Sequence, residues 1–151
     1  VLLKRGFGIT LDESLHAAEY LASEGNQKVV FGLRGMKTNI GDPHRNMVDF
    51  AHVPVVKRLT RMPVCIDPSH SVGARSRSSD NILDIMHVTA QGVIAGANMI
   101  LVDFHPDPTV ALVDGPQALR MEELPKFLED VRIVREAYEK RRDLLREPKA
   151  T

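Results

Sequence analysis

Pro63-Val64-Cys65-Ile66-Asp67-Pro68-Ser69-His70 sets the pattern of the chain: a short apolar run passes without a linker into a polar cluster. The run does not alternate apolar with polar residues, so it reads as a strand covered on both faces, as in a parallel sheet. The same arrangement recurs on either side. Residues 1–4 lead into Lys4, Arg5 and Gly6, and residues 28–31 into Arg34, Gly35 and Lys37. Residues 63–66 lead into Asp67, Pro68, Ser69 and His70, then Arg75 and Arg77. Residues 98–102 lead into Asp103, His105, Pro106 and Asp107, then Asp114 and Gly115.

Helical patterns fill the intervals. Leu11, Leu15, Ala18 and Ala22 share one helix face, with Asp12 as the expected N-cap and Gly25-Asn26 as the stop. Met47, Val48, Phe50 and Ala51 point to a shorter helix running on near residues 53–59. Ile82, Ile85, Met86, Thr89 and Val93 form a third stripe ending at Gly96. Leu124, Leu128, Val131, Val134 and Tyr138 form a fourth, from about residue 122 to residue 145. The strand–helix repeat is about 30–35 residues, the size of a βα unit. Four such units in a row predict a parallel α/β architecture. A closed (β/α)8 barrel needs roughly 250 residues, so four units amount to half of one; a free-standing doubly wound sheet is the alternative. The chain opens on Val-Leu-Leu-Lys-Arg-Gly, inside an apparent strand and without Met, which is the expectation for a piece of something longer.

Composition narrows the function classes. The 151 residues carry 20 Lys+Arg against 20 Asp+Glu, and that balance argues against a nucleic-acid module, which shows a basic excess. No apolar run approaches the ~20 residues of a membrane span. Cys65 is the only cysteine, so no internal disulfide forms, which suits a reducing, cytoplasmic setting. Cys65 sits mid-strand and reads as an inert core thiol.

In a barrel, strand C-termini share one mouth, and the polar clusters would converge there. They divide chemically into two halves. Lys4, Arg34, Arg75 and Lys37 form a cationic set suited to phosphate and carboxylate groups. His70, Asp103 and Asp114 form a mixed nitrogen and oxygen set that suits Mn2+, Fe2+ or Zn2+ better than Ca2+. Each piece alone has a plainer reading. Lys-Arg-Gly and Arg-Gly are common solvated turns, Asp114-Gly115-Pro116 is a usual turn, and His16, His44, His52 and His87 read as surface or packing residues on helices. The Ser-, Arg- and Gly-rich loop at 71–80 follows a strand, where α/β proteins put their chemistry. Convergence at four successive strand ends carries the functional case.

These motifs also come in a specific order. Val-Leu-Leu-Lys-Arg-Gly, Gly25-Asn26, Arg34-Gly35, Arg45-Asn46 with Asp49 and Val53-Pro54, Asp67-Pro68-Ser69-His70, His105-Pro106-Asp107-Pro108 and Asp114-Gly115-Pro116-Gln117 span nearly the whole chain. Together they resemble the C-terminal half of 3-deoxy-D-arabino-heptulosonate 7-phosphate (DAHP) synthase, in the branch related to 3-deoxy-D-manno-octulosonate 8-phosphate synthase. Lys4-Arg5-Gly6 and Asp67-Pro68-Ser69-His70 lean to the heptulosonate member. The resemblance implies a (β/α)8 TIM barrel in which residues 1–151 supply strands five to eight with their helices, as the C-terminal half of one catalytic domain.

It further implies a transferase of the shikimate pathway and aromatic amino acid biosynthesis. That enzyme condenses phosphoenolpyruvate with erythrose 4-phosphate and releases phosphate. By position, Lys4 and Arg34 would hold phosphoenolpyruvate, with Arg5 beside them and Arg75 near the sugar phosphate. His70, Asp103 and Asp114 would ligate a divalent metal, and Lys4, Arg34 and His70 would be the catalytic set. The implied partners are the N-terminal half of the barrel, in the same or another chain, and further copies in a homo-oligomer. That half would bring a cysteine ligand and a Lys-Pro-Arg-Thr segment. Two positions depart from the usual pattern. Asp103 stands where Glu is common, and Leu33 stands where a Glu is expected to assist the attacking water. Two alternatives follow: an inactive half-barrel partnering a full-length synthase, or a paralogue using another aldose phosphate, with the loop at 36–43 as the place to look. The charged run at 139–149 reads as a solvated helix end.

Overall fold

A computed structural model describes residues 1–40 and 43–146; residues 41–42 of the loop at 36–43 and residues 147–149 of the charged run lie outside the described residues. The first unit is strand β1 (Leu2–Lys4) and helix α1 (Leu11–Ser23). The second is β2 (Val30–Leu33) and α2 (Val53–Thr60), and the third is β3 (Val64–Ile66) with α3 (Pro68–Val72) and α4 (Asp84–Ile94). Then come β4 (Met99–Ile100), a small parallel pair β5 (Phe104–His105) and β6 (Leu119–Arg120), and α5 (Leu124–Leu145).

The main sheet is parallel in the order β1-β2-β3-β4. Its register sorts the side chains into two faces, because successive residues of a strand point to opposite sides. Leu3, Phe31 and Val64 lie in one row and Leu33, Ile66 and Ile100 in another on the same face. This face meets the helices, whose Leu15, Val53, Val56, Val88, Val93 and Phe127 complete the core. Lys4, Gly32, Cys65 and Met99 form the row on the opposite face. There Leu2 stays 36% and Met99 48% exposed.

Several local expectations are corrected. Helix α1 is capped by Thr10, not Asp12: Thr10 Oγ1 accepts from the Glu13 N–H at 3.2 Å and the Glu13 carboxylate accepts from the Thr10 N–H at 2.8 Å. This reciprocal pair satisfies two N-terminal donors that a cap two residues further in would leave open. Met47 is not helical. It bridges antiparallel to Met36, and a 3-10 turn at Phe50–His52 leads into α2. Ser71 and Val72 belong to α3, not to a loop, and His44 lies outside any helix. Leu33 is fully buried on the helix-facing side. The hydrophobic core claims that position, so a residue there faces away from the row that carries Lys4.

Candidate active site

The C-terminal ends of β1, β2 and β3, and the segment following β4, bring Lys4, Arg34, His70 and Asp103 to one end of the sheet. Lys4 and Gly32 share the open face, and Arg34, two residues beyond Gly32, continues along it. Asp67 directly follows β3 and is 2% exposed. A buried carboxylate needs partners, and it has three. Lys4 Nζ donates to Oδ2 at 2.9 Å, the His70 backbone N–H donates to Oδ1 at 3.1 Å, and His70 Nδ1 lies 2.9 Å from Oδ1. A carboxylate only accepts, so Nδ1 carries a hydrogen, and in the neutral imidazole it is Nε2 that holds the lone pair. Asp67 therefore caps α3, anchors Lys4 and fixes the imidazole tautomer.

His70 Nε2 lies 3.8 Å from Asp114 Oδ1, and His70 Nδ1 lies 3.8 Å from Asp103 Oδ2. The possible ligand atoms of His70, Asp103 and Asp114 fall within 4.8 Å of one another. One imidazole lone pair opposed to carboxylate oxygens is a cation-seeking arrangement, and the set fits a Mn2+-, Fe2+- or Zn2+-type ion. The Asp at 103, one methylene shorter than Glu, reaches the cluster. The Ser69 hydroxyl draws that segment in by accepting the Asp103 N–H at 2.9 Å. Asp114 adopts a left-handed backbone, φ 55°, in the turn after Val113. Such a conformation is uncommon outside glycine and is tolerated best by Asn and Asp. Asp103 and Asp114 border a concavity of about 470 Å3 that also includes His105.

Arg34 makes no hydrogen bond or ion pair to any described residue. Its Nε is buried without a partner and its guanidinium lies 5.3 Å from the centre of the Phe7 ring. A part-buried guanidinium with its planar fork free is prepared for an oxyanion. Gly35 follows at φ 86°, and a Cβ there would sit 2.7 Å from the Asn46 Cβ, so only glycine lets the two loops meet.

The structure places the other two arginines differently. Arg5 is buried; its Nη1 donates to Asp49 Oδ2 at 3.0 Å and to His52 Nδ1 at 2.9 Å. Asp49 also accepts the Gly35 N–H at 2.9 Å, so Arg5 ties the first strand end to the second. Arg75 forks onto Glu123 at 2.8 and 2.7 Å and donates to the Ala118 carbonyl, fastening α5 to the loop after α3. The hydrogen bond from Arg75 holds the Glu123 carboxyl below its ordinary range. Cys65 is buried, and burial pushes its thiol up to about 11, so it stays protonated near neutrality. Asp67, Ser69 and Gln117 are motif residues whose roles emerge only from the fold. The N-cap spacing of Asp67 and His70 was the available signal, whereas the contacts of Ser69 and Gln117 depend on long-range folding.

The chain matches the family described as DAHP synthetase I family over residues 1–140. It is 35% identical over 137 residues to the phospho-2-dehydro-3-deoxyheptonate aldolase of Thermotoga maritima, covering 91% of this chain and 38% of that protein. It is 33% identical over 146 residues to the 2-dehydro-3-deoxyphosphooctonate aldolase of Syntrophobacter fumaroxidans, covering 91% and 49%. Among solved structures, a truncated form of 3-deoxy-D-arabino-heptulosonate 7-phosphate synthase from Thermotoga maritima superposes with a TM-score of 0.81 at 36% identity, over 91% of this chain and 49% of that one. The chain thus spans between about two fifths and half the length of these relatives.

Proposed function

The chain belongs to the DAHP synthetase I family, its α/β units forming part of a (β/α)8 barrel, and from this premise we propose that it is the metal- and phosphoenolpyruvate-binding half of a DAHP synthase. The reaction joins the enol carbon of phosphoenolpyruvate to the aldehyde carbon of erythrose 4-phosphate. Water adds at the carbon bearing the phosphate ester, and inorganic phosphate leaves. Lys4 and Arg34 hold the phosphate and carboxylate of phosphoenolpyruvate, and Asp67 keeps Lys4 aimed by its 2.9 Å bond. His70, Asp103 and Asp114 hold the divalent ion. When bound, such an ion supplies Lewis-acid polarisation of the aldehyde oxygen. Asp67 holds the proton on His70 Nδ1, so the imidazole offers Nε2 as a neutral ligand. Arg5 and Arg75 act by tethering strand ends and α5 rather than by touching substrate.

The continuous chain Lys4–Asp67–His70 carries this reading, because it couples an anion-binding cation to a ligand imidazole through one buried carboxylate. Equilibrium titration of the intact protein with Mn2+ tests it. Wild type binds, and His70→Ala weakens binding at least ~100-fold, since a ligand matters more than the outer partners whose loss costs 10–100-fold. Indistinguishable titrations would sink the reading and favour an inactive partner of another synthase. The octonate aldolase relatives favour one further reading, a paralogue taking a different aldose phosphate. Product analysis with aldose phosphates of different chain length separates the two.

A further inference from the structure

Gln117 is 3% exposed, stands three residues past Asp114, and meets the same carboxylate oxygens of Asp103 and Asp114 that face His70. Its Nε2 lies 3.0 Å from Asp103 Oδ2 and 3.0 Å from Asp114 Oδ1. Its Oε1 accepts from Arg45 Nη1 at 3.4 Å. These partners fix the amide's orientation, because carboxylates only accept and a guanidinium only donates. The NH2 group has two hydrogens and two carboxylates to serve, so its donor capacity is filled.

We propose that Gln117 is a positioning residue that sets the separation of the two carboxylate ligands. A planar NH2 group sends its hydrogens in fixed directions, so the two accepting oxygens are held at one span. The same bonds offset the repulsion between neighbouring carboxylates, which would otherwise splay Asp103 and Asp114 apart. The two acids come from different segments, one in the stretch after β4 and one in the left-handed turn. Gln117 is the side chain that hydrogen-bonds to both of them among the described residues, while His70 stands 3.8 Å from each.

The Arg45-Asn46 pair braces the arrangement from the other side. Asn46 Nδ2 donates to the His70 carbonyl at 2.8 Å, and the Arg45 and Asn46 N–H groups donate to the Val72 and Ser71 carbonyls, each at 3.0 Å. Arg45 thus reaches Gln117 while its neighbour holds the backbone of His70. All three ligands are thereby positioned through two adjacent residues and one amide.

This inference rests on the metal-dependent reading above, and the experiment separates the two. Mn2+ affinity is measured by titration, Co2+ ligand-field bands by absorption, and the unfolding midpoint without metal by calorimetry. The variants are Gln117→Met, which keeps length without donors, and Gln117→Asn, which keeps the amide but is too short to span both acids. The expected result is a 10–100-fold loss of Mn2+ affinity with shifted Co2+ bands, at a metal-free midpoint close to wild type. Wild-type binding with unchanged affinity and bands in a folded variant overturns the role of Gln117 alone. A wild type that binds neither ion overturns both readings. If Gln117→Met does not fold, Gln117→Asn is judged by the same criteria.

Discussion

Arg5 and Arg34 show how far single residues can be read. Both follow a strand and precede a glycine, and the sequence offers no local difference between them. The structure buries Arg5 against Asp49, 44 residues away, and leaves Arg34 without a polar partner among the described residues. Which arginine is a tether is decided by a long-range carboxylate, so local sequence gave the cationic character but not the assignment. The polar residues after the third and fourth apolar runs drew attention to His70 and Asp103, whereas Asp114 reads locally as an ordinary turn and joins them through the fold. Arg75 resembles Arg5, its fork closed by Glu123 from 48 residues on. That pair yields a pH prediction. The Glu123 carboxyl lies below its ordinary 4.5 when folded, chiefly through the Arg75 hydrogen bond. A depressed carboxyl contributes stability that is complete above the unfolded value and is lost as pH falls through the folded value. Glu123→Gln is therefore expected to cost about 1–3 kcal/mol at neutral pH. The difference from wild type should shrink below pH 4.5. Urea unfolding across that range checks it, and a pH-independent difference would count against the pair.

The main strands were readable as unbroken apolar runs that pass into polar clusters, and the long helices by their helical period. Phe31, Leu33, Val64 and Ile66 all turn to the helices, and α5 packs Leu124, Val131 and Val134 of the expected stripe; Leu128, expected on it, is 63% exposed, and Phe127 is the residue of α5 that the core buries. The short elements were not readable. Helix α3 has five residues and depends on the Asp67 cap, while β5 and β6 pair two residues each across an intervening turn, too few to show alternation. Helix–sheet spacing adds a constraint that periodicity hides. Gly92 lies on the buried side of α4, and a Cβ there would sit 2.4 Å from Ile66 Cδ1 and 3.0 Å from a Phe50 ring carbon. Alanine improves helix propensity by up to about 1 kcal/mol, but overpacking a filled core costs roughly 1–3 kcal/mol. Gly92→Ala is expected to lower stability on balance, with β3 displaced towards the site because Ile66 directly precedes Asp67. Denaturant unfolding measures the first effect and Mn2+ affinity the second; a stabilised variant would show that Ile66 repacks freely.

On the scale of the molecule, the sheet has one face under helices and one face without them, and only the first is a finished core. Among the described residues, β1 pairs only with β2 and β4 only with β3, so the sheet has two open edges. Leu2 and Met99 lie on the open side near those edges. Unpaired strand edges beside apolar side chains are templates for association. In a closed barrel the same rows would form the interior and both edges would pair. The site has the same polarity, since Lys4 lies in the open-face row while the tethers Arg5 and Asp49 are buried. A polypeptide of residues 1–151 alone is therefore expected to associate as its concentration rises in sedimentation velocity experiments. Leu2→Lys with Met99→Lys should restore a single slow species, because charged residues blunt open edges and disfavour a buried face. The substitutions lie away from the helix-side core, so folding should persist, which circular dichroism checks. A wild-type chain that sediments as one monomer at all concentrations would mean that the open face is satisfied within this polypeptide, and the barrel geometry would then have to close in some other way.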